Sequence, residues 1–68
     1  MALVELARFS TKVEADLARL LLEAEGYDAI LFDQGMNYVL GPFTPVRLMV
    51  AEQDFAEAAA VLAEEGLL

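Results

Sequence analysis

Val46-Arg47-Leu48-Met49-Val50-Ala51 sets Val46, Leu48 and Val50 on one side and Arg47 and Met49 on the other, and this period of two marks a strand. Directly after it the period changes. From Glu52 to Glu65, Phe55, Ala58, Ala59 and Leu62 recur at helical spacing and form the expected core stripe of a helix. Asp54 and Glu57 stand at capping distance, and Glu52 lies near the dipole end that favours anions. Gly66 is placed to close this helix, and Leu67-Leu68 is too short to assign.

Upstream, Gly41-Pro42 and Thr44-Pro45 break regular structure, and Gln34-Gly35-Met36-Asn37 reads as a turn. Tyr38–Leu40 is either a short returning strand or irregular. Tyr27–Asp33 (YDAILFD) is a second strand. Before it, Thr11 to about Glu25 forms a helix. Thr11 and Glu14 have capping-box spacing, and Gly26 fits the left-handed position that ends a helix. At about 100° per residue, Val13, Leu17, Leu20, Leu21 and Ala24 share one stripe, with Lys12, Asp16, Arg19 and Glu23 beside it. Ala15, Ala18 and Leu22 make a smaller apolar strip on the back. One stripe must face the sheet, and the smaller strip is then a candidate contact surface. Ala2–Ser10 is a further strand; neither of its faces is purely polar, which suits a central position.

The order β-α-β-β-α, with a vestigial final strand left open, gives an α+β fold. Split β-α-β crossings would lay both helices on one face of an antiparallel sheet, the ferredoxin-like arrangement. The other sheet face is then uncovered. It would carry Arg47, Met49 and one alternating set from the second strand, either Ile30 and Phe32 or Ala29 and Leu31. Residues 1–68 are read as a single domain.

The composition narrows the chemistry. There is no Cys and no His, so disulfides, thiolate or imidazole zinc sites and imidazole catalysis are excluded. A Ser-His-Asp arrangement around Ser10 or Thr11 is therefore excluded too. The net charge is −8, with Arg8, Lys12, Arg19 and Arg47 the only cations. Nucleic acids and anionic membranes are bound by clustered cations, so neither is an expected partner. No basic leader with a long apolar run begins the sequence, and the apolar runs are too short to span a bilayer, so a cytoplasmic location is expected. Hydrophobic residues make up 59% of a chain too short to hide them all, which points to a partner-facing surface.

Glu64-Glu65, Glu23 with Glu25, and Asp28 with Asp33 are the candidate carboxylate pairs, and they read as solvated. Asp33-Gln34-Gly35-Met36-Asn37 lacks the alternating oxygen ligands of a calcium loop. Gly35 and Gly41 lie between strands, not before a helix, and read as turn glycines rather than a phosphate cradle. Met36, Tyr38 and Phe43 enrich the 35–45 connection in apolar groups, and connections often carry function.

Ala7-Arg8-Phe9-Ser10, Val13-Glu14-Ala15, Leu21-Leu22-Glu23-Ala24-Glu25-Gly26-Tyr27 and Val46 to Asp54 followed by Ala56–Leu62 resemble the bacterial family called "putative signal transducing protein". The resemblance implies a ferredoxin-like fold related to the PII signal proteins, and a signalling role. It carries no catalytic residue. The sequence departs from the family's pattern at Ala51, where Pro is frequent, and has a short connection between Gly35 and Pro45.

The expected function is a non-catalytic regulatory or protein-interaction module. It would act as a dimer or higher oligomer through the open sheet face, with a protein partner and no cofactor. The alternative is a PII-like small-ligand sensor using the 35–45 loop. Candidate contact residues are Phe32, Asp33, Met36, Asn37, Tyr38, Phe43, Arg47 and Met49.

Overall fold

The computed structural model of the chain describes residues 2–32 and 45–68. The elements are β1 (Leu3–Phe9), α1 (Lys12–Ala24), β2 (Ala29–Phe32), β3 (Val46–Ala51) and α2 (Phe55–Glu64), with a 3₁₀ turn, Glu52–Asp54, leading into α2. β3 pairs antiparallel with β1 on one side and β2 on the other, giving the sheet order β1-β3-β2. Both helices lie on one sheet face, where Ala15, Ala18 and Leu22 of α1 and Ala58 and Leu62 of α2 join Val46, Leu48 and Val50 in the core. This is the expected α+β, ferredoxin-like order. Leu67 and Leu68 form no strand.

Among the described residues β1 lies at an edge of this sheet, not at its centre. Its mixed faces come from a bulge. Glu5 pairs with Met49 and Ala7 with Leu48, so Leu6 is an extra residue in the ladder. Before the bulge Val4 shares the core side with Val50; after it Ala7 and Phe9 do so with Leu48 and Val46. Glu5 and Arg8, which strict alternation separates, therefore share the open face. The bulge also disrupts an edge that would otherwise offer a regular template for another strand.

Thr11 caps α1, its hydroxyl accepting from the Glu14 N–H at 3.2 Å, while the Glu14 carboxylate accepts from the Ser10 and Thr11 hydroxyls. Both helices end alike. Gly26 and Gly66 have φ of 92° and 76°. The N–H of Tyr27 returns to the Leu22 carbonyl, and that of Leu67 to Leu62, each at 2.9 Å. Tyr27 is thus occupied in the cap, and the second strand begins at Ala29, two residues later than its apolar run suggests.

The inward face of α1 is the reverse of the larger apolar stripe. Ala15, Ala18 and Leu22 are wholly buried, whereas Val13, Leu17 and Leu20 are 80%, 49% and 54% exposed. Ala24 is exposed as well, and Leu21 is intermediate. The reason is space. α1 and α2 share a sheet with three described strands, and alanines on their inner sides let both backbones approach it and each other. Two expectations for α2 also change. Asp54 makes no capping bond with its side chain, because the 3₁₀ turn gives it a helical backbone (φ −98°, ψ −1°) instead of the extended one a cap needs. Phe55 opens α2 immediately after that turn and stays 41% exposed, leaving Ala58 and Leu62 as its buried residues.

The Tyr27 hydroxyl donates to Glu57 Oε2 at 2.8 Å, joining the end of α1 to the first turn of α2. That hydrogen bond, then desolvation, then the charges of Glu57, Asp54 and Glu25 hold the phenol above its ordinary pKa.

Two outcomes are expected. Ala18→Leu lowers stability by about 1–3 kcal/mol through overpacking, while Leu17→Ala stays within about 0.5 kcal/mol. Urea unfolding of dilute protein measures both, and the reverse ranking would put Leu17 in the core. The raised phenol pKa stabilises the fold fully below the unfolded value of about 10 and loses that effect as pH rises through the folded value. Tyr27→Phe is therefore less stable than the parent near neutral pH, and the gap closes in strong alkali. A pH-independent gap would separate the tyrosine's contribution from its proton.

Candidate functional site

The sheet face that no described helix covers is built from two cross-strand rows. Glu5, Met49 and Ile30 form one; Arg8, Arg47 and Phe32 form the other. Leu3 adds to it beside Ala51 at the start of β1. The alternative left open for the second strand is resolved: Ala29 and Leu31 pair with Val50 and Leu48 toward the core, and Ile30 and Phe32 face outward. Leu3, Ile30 and Phe32 are 40%, 44% and 41% exposed. Met49 is half-buried between them.

The charges of this face are paired within it. Arg8 and Arg47 stand opposite each other in the ladder, an arrangement that by itself costs stability. Glu5 relieves it. Its carboxylate accepts from Arg8 Nε at 2.9 Å and lies 3.9 Å from Arg47 Nη1. The Arg47 guanidinium carbon also sits 5.9 Å from the centre of the Phe32 ring, within cation–π range. The result is an apolar patch around two guanidiniums and one carboxylate, locally cationic on a chain of net charge −8. Such a surface can bury apolar area and engage carboxylates across an interface.

Of the residues singled out from the sequence, Phe32, Arg47 and Met49 come together on this face. Asp33, Met36, Asn37, Tyr38 and Phe43 lie outside the described residues, as does almost all of the 35–45 loop. Glu5 and Arg8 were not legible as site residues, since the bulge that unites them leaves no mark in a pattern of period two. Their spacing of three residues with opposite charge was the one available sign.

The remaining polar candidates have structural roles. Ser10 and Thr11 belong to the start of α1. Lys12 pairs with Asp16, and Arg19 with Asp16 and Glu23. Glu25, Asp28, Glu64 and Glu65 are exposed. Among the described residues no cluster of three or more acidic side chains is arranged for a metal ion, and no concave pocket is present. No helix among them is long and apolar enough to cross a membrane.

Neither the curated proteins nor the solved structures provide a significant match to the chain. A protein-family model does match, over residues 3–66, and so takes in both helices and all three strands of the sheet. The chain belongs to the family described as "Putative prokaryotic signal transducing protein".

Proposed function

We propose that this chain is a non-catalytic protein-interaction module of a signalling system, acting as an oligomer whose copies meet through the open sheet face. The observation that carries this reading is the pair Ile30 and Phe32, exposed beside Met49 on a face that no described helix covers. The family description supports the signalling part. The absence of His and Cys from the sequence supports the non-catalytic part.

Charge favours a second copy as the occupant. Two chains of net charge −8 repel each other over most of their surface. Among the described residues the sheet face holds two of the four cations and a single carboxylate, so contact there brings few like charges together. Each copy's Glu5 would also come within reach of the other's arginines. Burial of the apolar side chains would contribute about 25 cal/mol per Å² of area removed from water, before the cost of association.

Phe32→Lys and Met49→Lys each place a charge in the centre of this patch without touching the core. The weight-average mass in sedimentation equilibrium is expected to fall in both variants, with the circular dichroism unchanged. A parent chain that stays monomeric at every concentration, or an assembly indifferent to both substitutions, would overturn the proposal.

A further inference from the structure

α1 has apolar side chains on two opposite sides. The inner side is spent on the core. The outer side carries Val13, Leu17 and Leu20, exposed by about half or more, and then Ala24. Their spacing of four, three and four residues is that of the apolar seam between two packed helices. Nothing among the described residues covers this ridge, and it lies on the side of the molecule away from the open sheet face.

Beside the ridge runs a lane of alternating charge: Lys12, Asp16, Arg19 and Glu23. Lys12 lies 3.3 Å from Asp16, and Arg19 lies 3.7 Å from Asp16 and 3.1 Å from Glu23. The lane is neutral, although the chain as a whole carries −8. Its order is plus, minus, plus, minus. Read in reverse, every sign is inverted. An antiparallel copy of α1 therefore sets Lys12 opposite Glu23 and Asp16 opposite Arg19. A parallel copy would place the two lanes on opposite flanks of the seam, where they do not meet. The charge pattern is centred between Leu17 and Ala18, and the apolar seam one residue further on. Each copy contributes that offset of about 1.5 Å, so facing charges are displaced by about 3 Å, within the reach of Lys and Arg side chains.

We propose that α1 is a self-association surface, on which a second copy of this chain docks its own α1 antiparallel. Val13, Leu17 and Leu20 form the seam, and the lane from Lys12 to Glu23 sets the direction. No residue of the sheet face takes part in this contact.

The test uses two full-length variants with differently tagged chains. Lys12→Glu with Arg19→Glu makes the lane wholly acidic; Asp16→Lys with Glu23→Lys makes it wholly basic. Self-association of each variant and association of the mixture are measured by fluorescence anisotropy at low salt. The mixed pair is expected to bind at least tenfold more tightly than either variant binds itself, and Leu17→Glu in both partners is expected to abolish that preference. The basic-lane variant carries the smaller net negative charge, so general repulsion alone would favour its self-association over the mixture. Equal affinities for all three combinations would show copies meeting elsewhere, as on the sheet face, and would overturn the α1 contact. No association in any combination would overturn it as well. A ridge that instead covers another part of its own chain would give folded variants with lowered stability and no mixed-pair preference, a third refuting result.

Discussion

Among the described residues, two helices share one face of a three-stranded sheet. With strands about 4.8 Å apart, the outer two lie about 10 Å from each other. Packed helices ordinarily keep their axes about 8–10 Å apart. Both helices can sit over so narrow a sheet only if small side chains line their inner surfaces. Ala15, Ala18 and Ala58, none of them exposed, meet that requirement, and Leu22 and Leu62 fill what depth remains. The larger residues of α1 then have no room inside. Their outward position is a consequence of this crowding, and it gives a small chain more apolar surface than its size requires.

That same constraint marks where the sequence could be read and where it could not. Strand period, the Thr11 cap and terminal glycines are local signals, and they located the three described strands and two described helices and ended those helices at Gly26 and Gly66, while the 3₁₀ turn at Glu52–Asp54 was read as part of α2. The face of α1 is not a local property. Its inward side depends on how wide the sheet is and what else shares it, and side-chain size alone pointed to Val13, Leu17 and Leu20. The bulge at Leu6 is likewise visible only through its partner strand. It hid both the edge position of β1 and the union of Glu5 with Arg8. Phe32, Arg47 and Met49 could be found because β3 alternates without interruption and β2 pairs with it in simple register.

Charge is distributed as unevenly as apolar area. The four cations fall into two groups, Arg8 with Arg47 on the sheet and Lys12 with Arg19 on α1, and each group borders an exposed apolar strip. Most of the remaining carboxylates face water elsewhere. Exposed ion pairs contribute little to folding, commonly under about 1 kcal/mol. Their placement matters more for what can approach. On a chain this acidic, the places among the described residues where negative charge is cancelled each border exposed apolar side chains, which favours encounters there.

Leu6 can be viewed as an insertion that the strand has absorbed. Removing it from the text leaves Val4, Glu5, Ala7, Arg8 and Phe9, a perfect alternation in which every side chain keeps the side it now occupies. A chain lacking this one residue would pair along β1 without a break and keep the same faces. What it would lose is Leu6 from the core and the irregularity of an outer edge. Straight edges recruit further strands, and the extra residue interrupts the regular ladder that such recruitment needs. The single position at which this strand breaks its own rhythm is thus the one at which a neighbouring strand would lose its register.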